Sequence, residues 1–152
     1  MAVPPEPIMS APSVPPSSAF RFRATCRTRW SDEDNQGVLN NAVYLTLLEE
    51  ARYQYFEHLG QIGVHNHFTF VLGQTNLRFL APGRGPAEVQ VEIATTRLGN
   101  RSFSQAYRVL DAADGTAWVE ATADLVIWDG QARSSAAMPD AFRQAIADLE
   151  GI

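Results

Sequence analysis

Asn41-Ala42-Val43-Tyr44-Leu45-Thr46-Leu47-Leu48-Glu49-Glu50-Ala51-Arg52-Tyr53-Gln54-Tyr55-Phe56-Glu57-His58-Leu59 is the stretch that decides the fold. Tyr44, Leu47, Leu48, Ala51, Tyr55 and Leu59 recur at three- and four-residue steps, the spacing of one face of an α-helix. Leu45, Arg52 and Phe56 add a second, partly apolar side. A helix apolar over so much of its circumference is enclosed by other structure rather than laid on a surface. Asn40 or Asn41 can cap its start, and Gly60 is a natural residue just past its end.

On either side of this helix the apolar period is two, the mark of half-buried strands. Upstream, Phe20, Phe22, Ala24, Cys26 and Trp30 alternate with Arg21, Arg23, Thr25, Arg27 and Arg29. Downstream, Phe68, Phe70 and Leu72 alternate, Gly73 interrupts as a bulge would, and Leu77 and Phe79 continue. Pro82-Gly83-Arg84-Gly85-Pro86 reads as a turn. Val89, Val91 and Ile93 form a third strand. Leu98-Gly99-Asn100-Arg101 reads as a hairpin connection into a fourth strand carrying Phe103, Gln105, Tyr107 and Val109. Asp114-Gly115 marks another hairpin. Val119, Ala121, Ala123, Leu125 and Ile127 line the last strand, and Pro139 starts a short helix through Leu149. One strand, a long helix, four strands and a short helix make an α+β domain. A ferredoxin-like arrangement would need a second crossover helix, and none is present. The breadth of the long helix's apolar surface favours an antiparallel sheet wrapped around it over an open sheet packed against it.

The 152 residues suffice for one domain with a real core. Residues 1–17 hold six of the nine prolines with Ser and Ala, and read as a disordered tail ahead of a single domain at 18–152. They have neither the basic region nor the apolar run of a signal peptide. No run approaches the ~20 apolar residues of a membrane span, so a cytoplasmic location is expected. A net charge of -5 argues against a nucleic-acid partner. The chain has no Lys, which excludes Schiff-base and P-loop lysine chemistry. Cys26, the one cysteine, falls on an apolar strand face and reads as core. His65 and His67 lack an evident third ligand, so neither a metal nor another cofactor is expected.

The loop Ser31-Asp32-Glu33-Asp34-Asn35-Gln36-Gly37 places three carboxylates just ahead of the helix start. The pattern argues against calcium of the EF-hand type, because Gln36 and Val43 stand where that loop needs its fifth and twelfth ligands. A favourable helix-dipole contact is one reading. The other is chemical: free N–H groups at a helix start can polarise a carbonyl oxygen. A carboxylate beside them can attack the carbonyl or activate water. Together these are the parts of an acyl-transfer hydrolase, and a thioester suits such modest equipment.

The run Arg29-Trp30-Ser31-Asp32-Glu33-Asp34-Asn35-Gln36-Gly37-Val38-Leu39-Asn40-Asn41-Ala42-Val43-Tyr44 resembles the signature of hotdog-fold acyl-CoA thioesterases of the 4-hydroxybenzoyl-CoA thioesterase type. Glu49-Glu50-Ala51-Arg52 resembles the family's E-x-x-R, with Glu49 and Arg52 spaced to pair along the helix. Arg97-Leu98-Gly99-Asn100-Arg101-Ser102 resembles its r-l-G-x-x-S turn. The resemblance covers about residues 18–149. It implies a sheet wrapped around one long helix, a homodimer or homotetramer, and a site at the subunit interface. It implies Asp34 as catalytic nucleophile or base, and the Asn41 N–H as the contact for the thioester oxygen. Arg97 and Arg101 become candidates for coenzyme A phosphates, equally readable as exposed strand-end arginines. Tyr44 and Leu48 become candidates for the acyl pocket, although helix-stripe residues are core by default. Gly37 and Val38 in the signature and Ser102 in the turn complete the candidate substrate-binding set. Val38 stands where many relatives carry His, so a mechanism requiring that His is excluded. A non-catalytic acyl-CoA-binding dimer, an acyl-carrier-protein thioesterase and a hotdog hydratase are the competing readings.

Overall fold

The computed structural model describes residues 12–152. Its strands are β1 (Phe22–Thr28), β2 (Phe70–Phe79), β3 (Ala87–Leu98), β4 (Ser102–Asp111), β5 (Ala117–Asp129) and the two-residue β6 (Ser134–Ser135). Its α-helices are α1 (Asn41–His58) and α2 (Asp140–Glu150). The main sheet is antiparallel in the order β1-β3-β4-β5-β2, with β6 paired to the end of β5. The chain thus leaves β1 at one edge, passes through α1, and returns as β2 at the other edge. That path makes the sheet curl around α1.

The burial pattern follows from the periodicities. Tyr44, Leu47, Leu48, Ala51, Tyr55 and Phe56 of α1 are buried against Ala24 and Cys26 of β1 and the inward residues of β3, β4 and β5. Burial among apolar neighbours pushes the Cys26 thiol up to about 11, the state of a packing residue rather than a nucleophile. At one end of the core Phe56, Phe70, Phe103 and Phe142 interlock, with Phe56 and Phe142 stacked at 5.1 Å. Phe142 brings α2 onto this cluster.

A polar chain threads the core beside it. Arg52 Nη1 donates to the Tyr107 hydroxyl at 3.0 Å, Tyr107 donates to Gln105, and Gln105 donates to Thr95 Oγ1 at 3.2 Å. The Tyr55 hydroxyl lies 2.9 Å from Thr95 Oγ1 and donates to Glu150 at 2.9 Å. Buried polar groups are tolerated only when bonded in this way. Desolvation holds the Tyr107 phenol up to about 12, against the lowering effect of the adjacent Arg52 cation. Glu49 stays exposed, and among the described residues Arg52 makes no ion pair. The helical Glu49–Arg52 pair that the i,i+3 spacing permits does not form, because the sheet claims the guanidinium.

Other expectations shift at element ends. β1 stops at Thr28, and Trp30 is 78% exposed instead of continuing the apolar face. The cause is Asp32, whose carboxylate takes the Arg29 N–H at 2.7 Å and the Arg29 guanidinium at 2.8 Å, turning the chain into a 3-10 turn at Trp30–Asp32. Strand pairing slips between Leu72 and Gln74, as the interrupting Gly73 suggests, and leaves Leu72 exposed. The chain just ahead of β1 touches the sheet. Pro15 O accepts from Arg108 at 2.9 Å, and Ser17 Oγ donates at 2.8 Å to Glu92, which is fully buried on the outer sheet face. Residues 1–11 of the tail expected over 1–17 lie outside the described residues.

The two sheet edges are treated differently. Along β1, the Gln54 amide of α1 accepts from the Thr25 N–H at 3.2 Å and donates to the Thr25 carbonyl at 2.8 Å. It thereby imitates a neighbouring strand at a position an edge leaves open. β2 has no such cover among the described residues, and Val71, Leu72, Phe79 and Leu80 are exposed along and just beyond it.

Candidate active site

The acidic loop folds back on itself before α1. Asp34 N–H donates to Val38 O at 2.8 Å, Glu33 bridges to Leu39, and Asn40 N–H donates to Asp32 O at 2.9 Å. Gly37 takes φ +74°, a left-handed conformation that suits glycine at this tight return. Asp32 is the buried brace of the loop, and its bonds from Arg29 hold its carboxyl below the ordinary aspartate range, despite the opposing effect of burial. Asp34 is the exposed one. One of its oxygens accepts from the Gln36 N–H at 2.8 Å, so its rotamer is fixed by an Asx turn. A cleft of about 440 Å³ beside it is lined by Trp30, Ser31, Glu33, Asp34, Asn35 and Gly37.

The helix start is fixed just as closely. Asn40 is the cap, with its side chain accepting from the Ala42 N–H at 3.0 Å and its carbonyl from the Val43 N–H at 2.9 Å. The N–H of Asn41, directly after the cap, has no acceptor among the described residues. The β2–β3 connection clamps this corner: Leu39 N–H donates to Gly83 O at 3.0 Å and Gly83 N–H to the Tyr44 hydroxyl at 3.0 Å. A Cβ on Gly83 would fall 2.8 Å from that hydroxyl and from Trp118, so only glycine permits the approach. Next to the Asn41 N–H opens a second groove, of about 320 Å³. Its walls are Val38, Leu39 and Tyr44 on one side and Phe79, Leu80, Ala81 and Pro82 on the other.

The candidate residues therefore fall into three places. Asp34, Gly37, Val38, Asn41 and Tyr44 share the corner between the loop and α1. Leu48 is fully buried in the core. Arg97, Arg101 and Ser102 sit at the β3–β4 turn, where Arg97 donates to Ser102 and Ser104, and Arg101 to Ser135. That turn is at the opposite end of the sheet. Phe79 pairs with Val119 and Val119 with Val109, whereas the turn adjoins Phe103, six residues and roughly 20 Å of strand away.

Trp30 and the Phe79–Pro82 wall did not emerge from the sequence reading as site residues. Trp30 fits the alternation of β1, which hid its turn outward. Phe79-Leu80 carried a usable signal: two consecutive apolar residues break period two just before a turn. Among the described residues no three His, Cys, Asp or Glu side chains are placed to hold a metal, and no helix is long and apolar enough to cross a membrane.

The model of the thioesterase-like superfamily matches residues 28–146. No curated protein matches the sequence significantly. Among solved structures, a thioesterase from Thermus thermophilus complexed with coenzyme A and zinc is 31% identical. It aligns over 88% of this chain and 97% of its own, with a TM-score of 0.75. A candidate thioesterase from Pseudomonas aeruginosa is 34% identical over 84% of this chain and 99% of its own, also at 0.75. The 1,4-dihydroxy-2-naphthoyl-CoA thioesterase of Synechocystis, 20% identical over 85% and 97% at a TM-score of 0.75, shares the fold.

Proposed function

The chain belongs to the thioesterase-like superfamily, and on that premise we propose that it hydrolyses an acyl-CoA thioester to the free carboxylic acid and coenzyme A, with Asp34 as its catalytic carboxylate. The carrying observation is the corner where an exposed Asp34 and the unclaimed Asn41 N–H flank one short loop. The thioester oxygen accepts from the Asn41 N–H, which stabilises the charge that grows there as the carbonyl carbon becomes tetrahedral. The Asp34 carboxylate acts in one of two ways. It attacks the carbonyl carbon, expels the thiolate of coenzyme A and leaves an anhydride that water opens. Alternatively it takes a proton from water as the oxygen attacks, and the intermediate expels the thiolate. Neither course needs an acid at Val38, because a thiolate leaves unaided far more readily than an amine. The coenzyme A bound to the Thermus relative supports a coenzyme A donor.

The open β2 edge supports a homodimer paired across it. An antiparallel two-fold contact there brings the partner's β3–β4 turn to the Phe79 end of this chain, and with it Arg97 and Arg101 of the partner subunit. A site built that way holds the thioester on one chain and the phosphates of coenzyme A on the other.

The test is thiol release from an acyl-CoA panel by the full chain and by Asp34→Asn. Loss of about 10²–10⁴-fold in kcat/KM is expected for removal of a catalytic carboxylate. Unchanged turnover in the variant would remove Asp34 from the mechanism. Binding of acyl-CoA without turnover by either protein would leave an acyl-CoA-binding dimer.

A further inference from the structure

We propose that the groove between α1 and the Phe79–Pro82 segment takes the acyl group, and that it selects uncharged, apolar acyl groups with Phe79 as the selecting residue. The assignment rests on the thioesterase reading of Asp34 and Asn41. Two grooves meet at the Gly37–Val38 corner, and they differ in chemistry. The one holding Asp34 is lined by Ser31, Glu33 and Asn35 as well as Trp30. The other, past the Asn41 N–H, is walled by Val38, Leu39, Tyr44, Phe79, Leu80 and Pro82.

A carbonyl held by Asn41 and met by Asp34 has two substituents to place, one in each direction. The amide-bearing thiol arm suits the polar cleft and the acyl chain suits the apolar one. No charged residue lines the apolar groove; its polar groups are Asn41 and the Tyr44 hydroxyl, which accepts from the Gly83 N–H. A carboxylate or ammonium carried into this groove would lose water and gain no counter-charge. Phe79 stands at the mouth, 53% exposed, with its ring edge-to-face on Tyr44 at 5.4 Å. The ring forms one wall of the groove, where an apolar acyl group would cover it. The groove's about 320 Å³ lies at the low end of the roughly 300–1,000 Å³ of small-molecule sites, which favours short and medium acyl groups.

The discriminating pair is hexanoyl-CoA against adipoyl-CoA, equal in chain length and differing by a terminal carboxylate. Hexanoyl-CoA is expected to have at least about tenfold higher kcat/KM, and Phe79→Arg is expected to narrow or invert that ratio. Leu80→Arg, on the same wall, should move it in the same direction. Equal kcat/KM for the two substrates in the full chain would overturn the groove assignment and leave the thioesterase reading intact. Equal losses on both substrates in Phe79→Arg, with a changed mass by light scattering, would overturn it too, by making Phe79 a subunit contact. If neither substrate is hydrolysed, calorimetric binding of the same pair decides. A preference for hexanoyl-CoA would keep the groove, and equal binding would discard it.

Discussion

Asn41 occupies the first helical position, where a proline is tolerated because no i→i−4 bond is lost there. The preceding Asn40 already has φ -60° and ψ 135°, the extended conformation that a following proline demands. Asn41→Pro therefore deletes one N–H and little else. If that N–H polarises the thioester, kcat should fall about 10²–10³-fold, the usual consequence of losing one oxyanion donor. The melting temperature should stay close to that of the parent chain. A variant that melts as before and turns over as before would take Asn41 out of the mechanism. Much of this corner was legible in the sequence because it is local: Asp34, Gly37, Asn40 and Asn41 lie within eight positions, and loop geometry and capping act over that range. What stayed hidden was the division of labour among the three acids. Asp32 is a buried brace because Arg29 folds onto it, whereas Asp34 is exposed.

At the scale of elements, the join between α2 and the rest of the core carries a titrating group. Glu150 accepts from the Tyr55 hydroxyl of α1 and from the Thr95 N–H of β3. Burial raises its carboxyl above the ordinary 4.5, outweighing the lowering effect of those two bonds and of Arg21. A carboxyl raised in the folded state keeps its proton to higher pH there than in the unfolded chain. Its contribution to stability is then fully present below 4.5 and is lost as pH rises through the folded value. Glu150→Gln preserves both acceptor bonds and removes the charge. Its melting temperature relative to the parent should therefore rise between about pH 4 and pH 7, read by thermal denaturation across that range. A difference that stays flat with pH would mean that the ionised carboxylate is not penalised at this join. The periodicities found α1, α2 and the five long strands, since each pattern reports which face packs. They did not find β6, whose two residues are too few to show a period, nor the ordered contact of Pro15 and Ser17 with the outer face.

For the whole molecule, the sequence order of strands says little about which strands lie at the edges. That β1 and β2 end on opposite edges follows from α1 crossing the concave side, a non-local consequence of packing. The same non-local step joins residues 38–44 to residues 79–82 in one groove, so no local motif could announce it. It also separates Asp34 from Arg97 and Arg101, which sit at opposite ends of one sheet. If both sets serve one substrate, two chains must supply them, and mixing variants detects this. Asp34→Asn in one chain and Arg97→Ala with Arg101→Ala in the other give two poorly active homodimers. Dissociated and mixed at random, they form half mixed dimers, each with one of its two sites carrying Asp34 from one chain and both arginines from the other. Activity should then recover to about a quarter of the parent level. Recovery no greater than the sum of the two homodimers would place Asp34 and the arginines that matter on the same chain, and the β2 edge would lose its part in catalysis.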